Sequence, residues 1–312
     1  MTAERYDVAV IGGGPAGLAA GLWLARYLHT VVVIDSGDPR NWETRGINGY
    51  LGHQGIRSPE LRTLGRAECE QYGVAFVNGL VERALNESGE LFAVHLKDGS
   101  SIEARRILLA IGIKDVWPDI PGLDRCYGET VHVCPDCDGY ETREKKTVVV
   151  GKGRKAVGMA LALTTWTRAI VICTNGEKPD MDQDLLNQLK VLNIPVLDGA
   201  IQCVVSQGGE IKHIDLAGGM SLDCERLYFA IAQYPADDLG AQLGCERDDI
   251  GRIVIDDRNH TSVMNVFAAG DIAPGPQLAI AAAASGAIAA MAIHSSLMPD
   301  TRKLPDLSPA KR

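Results

Sequence analysis

An apolar run, Asp7 to Ile11, feeds directly into Gly12-Gly13-Gly14-Pro15-Ala16-Gly17. A helical stretch from Ala16 to about Leu28 follows, then a second apolar run, Thr30 to Ile34, ending on Asp35. Strand, glycine turn, helix, strand and acid in this order form the fingerprint of a βαβ unit that holds a dinucleotide. Gly12 permits the tight turn, Gly14 lets a pyrophosphate approach the backbone, and Gly17 lets the helix lie close against the strand. Pro15 and Ala16 complete the turn and belong to the same candidate cofactor site. The first N–H groups of the helix and its dipole face the phosphates. Asp35, eighteen residues after Gly17, is placed to accept hydrogen bonds from a ribose and to repel a 2′-phosphate. A tight turn without a ligand would not need the whole series.

The plan recurs. Thr147 to Val150 reads as a strand, Gly151-Lys152-Gly153-Arg154-Lys155-Ala156 as a second glycine turn, the residues to about Trp166 as a helix and Ala169 to Cys173 as the next strand. Between the two turns, strands are expected at Val74 to Val77, Leu91 to Leu96, Ser101 to Ala104 and Ile107 to Ile111, with Asp98-Gly99 as a hairpin turn. Ser58 and Pro59 open a helix that runs to about Tyr72, and Ser36 to Tyr50, including Asn41 and Trp42, reads as a long loop. Later come a meander (Ile201 to Val205, Ile211 to Leu216, Ser221 to Cys224) turning at Gly208-Gly209 and Gly218-Gly219, and a strand from Leu227 to Ile231. Strands Ile253 to Asp256 and Val266 to Ala269 precede an Ala-rich helix, Leu278 to Ile293, which reads as buried rather than membrane-spanning. From Pro299 the chain reads as a surface tail.

The chemistry is concentrated in Cys134-Pro135-Asp136-Cys137-Asp138-Gly139-Tyr140. Two cysteines two residues apart can alternate between dithiol and disulfide, and a thiolate is the attacking species. Asp138 can relay the proton. Half of a zinc site and two inert buried cysteines are the other readings. Zinc needs two further ligands at similar spacing, and the remaining cysteines, at 69, 126, 173, 203, 224 and 245, are isolated. A metal site is therefore not expected.

Composition narrows the partners. A net charge of -9 does not suit a general nucleic-acid binder, which needs clustered Lys and Arg. Eight cysteines scattered over 312 residues do not make a secreted disulfide scaffold, and the polar start, Met1 to Tyr6, is not a signal peptide. A cytoplasmic enzyme is expected.

The order of motifs, an N-terminal glycine fingerprint, Cys-x-x-Cys-Asp-Gly near the start of a second nucleotide domain and a late Ala269-Gly270-Asp271 before an Ala-rich helix, resembles low-molecular-weight thioredoxin reductases and related flavoenzymes. The likeness implies an α/β fold of two Rossmann-like, three-layer ββα dinucleotide-binding domains, the second inserted in the first. Residues 1–117 and 246–312 would bind FAD, and 118–245 would be the nicotinamide-type insert carrying the cysteines. It implies FAD held by Gly12, Gly14, Pro15, Ala16, Gly17 and Asp35, with Ala110, Gly112, Gly270 and Asp271 around its pyrophosphate and ribityl chain. Gln277, Leu278 and Ala279 would lie beside the flavin ring. By the same likeness Cys137 would face the flavin, Cys134 would exchange with substrate, Asp138 would be the acid/base, and the protein would be a homodimer.

The second turn departs from that pattern. Where NADPH-dependent members end the strand after the second turn in His-Arg-Arg, this chain reads Cys173-Thr174-Asn175-Gly176, with no arginine for a 2′-phosphate and no acid for a ribose. Lys152, Arg154 and Lys155 stand in the turn, Ala230-Ile231-Ala232 replaces a family glycine, and Gln277-Leu278 replaces the usual Arg-Gln. The expectation is a flavin disulfide oxidoreductase coupling Cys134/Cys137 through FAD to a carrier other than NADPH. A small dithiol or a thioredoxin-like protein would be its thiol partner, and ferredoxin, another carrier or a second FAD would stand on the other side. An NADPH-dependent thioredoxin reductase and a flavin sulfhydryl oxidase are the alternatives.

Overall fold

The computed structural model describes residues 4–40, 44–230 and 232–302. In chain order the elements are β1 (Glu4–Ile11), α1 (Pro15–Arg26), β2 (Val31–Asp35), α2 (Ser58–Gln71), β3 (Ala75–Asn78), β4 (Val81–Asn86), β5 (Phe92–Leu96), β6 (Ser101–Leu109) and β7 (Ile113–Asp115). Then come β8 (Val131–His132), α3 (Pro135–Asp138), β9 (Thr147–Val150), α4 (Gly153–Leu163), β10 (Ile170–Cys173), α5 (Gln183–Val191), β11 (Val196–Leu197), β12 (Ile201–Gln207), β13 (Glu210–Leu216) and β14 (Ser221–Asp223). The chain ends with β15 (Arg226–Phe229), β16 (Gln233–Pro235), α6 (Leu239–Gln242), β17 (Val266–Ala268) and α7 (Ala279–Leu297). Asn41, Trp42, Ile231 and the tail beyond 302 lie outside the described residues.

Two compact units result: Met1–Pro39, Leu61–Lys114 and Tyr234–Arg312 make the first, and Arg40–Glu60 with Asp115–Gln233 the second. Compared with the expected insert at 118–245, the second unit returns earlier and takes residues 40–60 with it.

In the first unit the sheet runs β3-β2-β1-β6-β5-β4, and β17 also pairs with β6. β1 lies between β2 and β6, parallel to both. A strand so placed is covered on both faces, which explains why its core-facing residues are apolar without alternation. Val8 and Val10 pack with α1 and α7, and Ala9 and Ile11 pack with Phe92, Leu109 and Ile253.

Arg105 and Arg106 look like a break between two strands in the sequence, yet β6 is continuous. The buried Arg106 donates to Ser296 Oγ (2.9 Å) and to the Ser296 carbonyl (3.0 Å) at the end of α7, and Arg105 donates to Asp7 (3.1 Å). The first half of β6 then pairs with β5 and the second half with β17. β4 is absent from the expected strands because its Glu82, Arg83 and Asn86 mask the inward Val81 and Ala84. Conversely, Ile253 to Asp256 is not a strand; Ile253 makes only an isolated bridge to Arg247.

α7 crosses α1 closely. A Cβ on Gly286 would overlap the Ala16 carbonyl, so glycine sets the distance between the helices. The helix is long and apolar enough to cross a membrane by length and composition alone, but Ala282, Gly286, Ala289, Ala290 and Ile293 are buried in this unit. The expectation of a buried helix holds for that face only, because Ile280, Ile288 and Met291 are exposed.

Near the C-terminal end of α7, His294 Nδ1 lies 2.9 Å from His29 Nε2, and the Tyr27 ring stacks on His294 at 4.2 Å. Burial above all, aided by the neighbouring His294 and Arg105 charges, lowers the His29 pKa despite Asp7. The unfolded chain therefore binds a proton at His29 more readily than the folded one. Its contribution is complete above the ordinary value near 6.5 and is lost as pH falls through the lower folded value. Urea unfolding at pH 7.5 and 5.5 is expected to show a loss of stability on acidification that is smaller in His29→Gln; an equal loss in both proteins would remove His29 from the account.

The second unit has a parallel sheet, β11-β10-β9-β15-β8, and an antiparallel sheet, β12-β13-β14. The paired glycines that join β12 to β13 and β13 to β14 have φ of 61° and 84°, and 88° and 81°. Gln207 and Glu210 pair directly, so the two positive φ values between them are those of a type I′ hairpin turn, which glycine meets without strain; Gly218 and Gly219 lie in a longer loop, across which the Leu216 N–H donates to the Met220 carbonyl.

Candidate active site

In the first unit, the carboxyl ends of β1, β2 and β6 meet where the strand order reverses, the position at which open parallel sheets hold ligands. Gly12 has φ 111°, and a Cβ there would overlap the Ala110 carbonyl; a Cβ on Gly17 would overlap the Gly12 carbonyl. These two glycines are required by the protein's own packing. Gly270, after β17, is tight as well, since its Cβ would lie 2.9 Å from that of Ala16.

Gly14 differs. Its φ of -79° suits any residue, and a Cβ there would meet nothing within 4 Å. No contact among the described residues calls for its smallness. What it leaves is an open cradle at the start of α1, whose N-terminus no side chain caps, so that N–H groups of the first turn remain for an anion. This cradle fits the pyrophosphate of FAD. Pro15 takes the first helical position, where its missing N–H costs nothing.

Asp35 ends β2 as expected, but its carboxylate also meets Arg62 Nη2 from α2, and it accepts from the Gly37 N–H at 3.1 Å. A carboxylate has about four acceptor sites, so a ribose hydroxyl can join Arg62 there. Ala110 follows β6 and Gly112 has φ 70°, both at the same sheet end. Gly270 and Asp271 follow β17, and Leu278 enters α7 as its N-cap between Gln277 and Ala279. Ser285 reads in sequence as an interruption of an apolar run; its hydroxyl accepts from the Gly270 N–H (3.2 Å) and Asn259 Nδ2 (2.9 Å), pinning the Gly270 turn to α7.

In the second unit, Cys134 and Cys137 form a disulfide with Cα atoms 5.3 Å apart. Pro135 starts the short α3, and the Cys137 N–H donates to Cys134 Sγ at 3.1 Å. That hydrogen bond favours a thiolate on Cys134 when the pair is reduced. Gly139 is needed because a Cβ would run into the Trp166 ring.

Asp138 is held from two sides. Asn48 Nδ2 donates to Oδ1 at 3.3 Å, and His132 Nδ1 lies 3.3 Å from Oδ2. Neither partner is visible in the sequence, although His132 stands only two residues before Cys134. Behind His132, the Tyr228 hydroxyl shares a 2.7 Å hydrogen bond with Thr142 Oγ1, and burial pushes its pKa far above the usual phenol range.

Four of the other cysteines are poor competitors. Burial raises the Cys69 thiol to about 11 and Cys224 to about 12, and it also raises Cys173 and Cys245. No metal-binding group of His, Cys, Asp and Glu occurs among the described residues.

At the second glycine turn the chain itself takes one of the helix-start N–H groups, although α4, like α1, has no side-chain cap. At the start of α4 the Gly153 N–H donates to the Pro179 carbonyl at 2.9 Å. Lys152 pairs with Glu177, and Arg154 lies 3.7 Å from Asp182. Asp180 Oδ2 would be 3.7 Å from a Cβ on Gly153, and a Cβ on Gly151 would lie 2.8 Å from the Ala230 methyl. Thr174 donates to the Glu177 carbonyl (2.5 Å), while Asn175, at φ 53°, accepts from the Ile201 N–H (2.7 Å). Of the three basic residues of the turn, Lys152 and Arg154 thus have their charge answered by carboxylates of the chain.

Residues 6–286 match the profile of the family described as pyridine nucleotide-disulphide oxidoreductase. A probable thioredoxin reductase of Arthroderma benhamiae is 29% identical, over 94% of this chain and 81% of that protein. An alkyl hydroperoxide reductase subunit of Pseudomonas putida is also 29% identical over 95% of this chain, which spans only 59% of its length. Among solved structures, thioredoxin reductase of Streptococcus pyogenes aligns with a TM-score of 0.88 at 25% identity, covering 95% of this chain and 99% of that one. HlmI aligns with a TM-score of 0.88 at 33% identity, covering 93% and 92%.

Proposed function

The chain belongs to the pyridine nucleotide-disulphide oxidoreductase family, and from that premise we propose an FAD-dependent thiol/disulfide oxidoreductase that does not draw on NAD(P)H. It is a thioredoxin reductase-like flavin disulfide enzyme. Its thiol partner is a small dithiol or a thioredoxin-like protein. On the flavin side the partner is ferredoxin or another carrier, with dioxygen in that place for a sulfhydryl oxidase.

The observation that carries the reading is the closure of the second turn by Pro179. A dinucleotide diphosphate needs the N–H groups at such a helix start, and here the Gly153 N–H is already hydrogen-bonded to the Pro179 carbonyl. Glu177, Asp180 and Asp182 add repulsion. A second FAD would bring its diphosphate to the same three carboxylates, so one FAD per chain is our reading.

FAD, when bound, supplies a two-electron couple. The chain's residues do the rest: the Cys137 amide steadies a Cys134 thiolate, and Asp138, fixed by Asn48, is the group through which a proton passes. We place the protein in the cytoplasm as a homodimer, the exposed Ile280, Ile288 and Met291 of α7 being an apolar face available to a second copy of the chain.

Anaerobic stopped-flow absorbance tests the nucleotide reading. Dithiothreitol is expected to bleach the flavin while NADPH and NADH at micromolar concentration do not. Two absent charge-assisted phosphate contacts alone weaken NADPH by on the order of 100-fold. Rapid, saturable bleaching by NADPH would restore the ordinary thioredoxin reductase. The flavin-to-protein ratio, expected at one, tests the second FAD separately.

A further inference from the structure

His132 is buried, 6% exposed, in the two-residue strand that leads into the cysteine loop. Its Nδ1 lies 3.3 Å from Asp138 Oδ2, and its Nε2 is buried without a hydrogen-bond partner among the described residues. Burying an imidazole nitrogen unpaired is unfavourable. The Tyr228 ring, 5.3 Å away between centroids, cannot relieve it, because its hydroxyl is engaged with Thr142. An apolar side chain would pack here without that penalty. The advantage of histidine therefore lies at Nδ1, on the carboxylate next to Cys137.

We propose that His132 is a positioning and proton-sharing residue that, with Asp138, forms the base for disulfide exchange. The inference rests on the disulfide-exchange part of the proposed function. A carboxylate by itself is a weak base at neutral pH. His132 Nδ1, 3.3 Å from Asp138 Oδ2, lets a proton be shared between ring and carboxylate, and imidazole is the side chain suited to proton transfer at neutral pH. The groups acting on the pair are Asn48 on the carboxylate and Tyr228 on the ring. Arg226 and Glu141 in turn act on Tyr228.

With a dithiol as reductant, the first substrate thiol gives its proton to the pair. Its sulfur bonds to Cys134 Sγ, the Cys134–Cys137 bond breaks, and the electron pair leaves on Cys137 Sγ, which takes the proton from the pair. The second substrate thiol then gives its proton to the restored pair. Its sulfur bonds to the first substrate sulfur, the substrate–Cys134 bond breaks, and Cys134 leaves as the thiolate that accepts a hydrogen bond from the Cys137 N–H. The pair passes on its second proton to Cys134. Two electrons and two protons have moved from the dithiol to the two cysteines.

The test mixes FAD-loaded protein anaerobically with dithiothreitol, quenches in acid and counts alkylated Cys134 and Cys137 by peptide mass, a readout independent of flavin colour. His132→Leu and His132→Gln are expected to slow opening of the disulfide roughly 10- to 100-fold at pH 7, a part of what general-base catalysis contributes. Both should converge on the wild-type rate near pH 10, where dithiothreitol ionises unaided. Gln can hold Asp138 in place but cannot carry the proton, so a wild-type pH profile in His132→Gln would overturn the proposal, as would slowing by the same factor at every pH. If wild-type protein itself fails to open at either pH, the disulfide-exchange reading has failed rather than the role of His132.

Discussion

A Cys134→Ser protein is expected to fold, to bind FAD and to lose disulfide exchange by roughly a thousand-fold or more, the scale on which enzymes fail without their nucleophile. Cys137→Ser is expected to fail to the same extent, because one sulfur cannot accept the two electrons that open a disulfide. The fold survives in both because the cross-link joins residues only three apart; closing so short a loop contributes about 2 kcal/mol at most. The variants differ in their spectra. If Cys137 is the flavin-side sulfur, Cys134→Ser retains a thiolate against the flavin and shows a long-wavelength absorption band that Cys137→Ser lacks. The reverse pattern exchanges the two roles, and full exchange activity in either variant removes the pair from the chemistry.

Gly14→Val should separate cofactor binding from folding. A Cβ at Gly14 meets nothing within 4 Å, so the substituted chain keeps its packing and is expected to unfold within about 1 kcal/mol of wild-type protein stripped of FAD. The branched carbons occupy the cradle at the start of α1, and the purified protein should be colourless, with under about a tenth of a flavin per chain. Absorbance at the flavin maximum and circular dichroism on one sample measure both quantities. Stoichiometric FAD in Gly14→Val would mean that the pyrophosphate lies elsewhere.

The first βαβ unit was legible because all its requirements lie between β1 and Asp35: apolar β1, three glycines with distinct duties, and an acid closing β2. Even there, Arg62 was hidden, since nothing local says that α2 will bring a guanidinium to Asp35. The cysteine pair was legible by spacing. The support of Asp138 was not, because His132 and Asn48 reach it only once β8 turns into α3 and the 40–60 segment joins the second unit. The second turn was legible as a departure, through missing arginines, but the pairing of its basic residues was not. The carboxylates that pair with Lys152 and Arg154 and the Pro179 carbonyl come from the stretch after β10, where no sequence motif points to them. β6 was split for a related reason: a buried arginine satisfied by the far end of α7 looks in sequence like a solvent-facing break.

Closure of the second turn bears on any effort to redesign electron supply. Writing arginines into positions 174 and 175 would supply the charge that NADPH recognition calls for, yet would leave the Gly153 N–H bonded to Pro179. It would also cost two bonds of the native fold, since Thr174 holds the Glu177 carbonyl and Asn175 holds the Ile201 N–H. A retooled enzyme would first have to shorten or re-route residues 175–182 so that the helix start is bare, and only then acquire its phosphate clamp. The order of those two changes is fixed by geometry: a laboratory lineage selected for NADPH use would be expected to alter the covering loop before any arginine at 174 or 175 conferred an advantage.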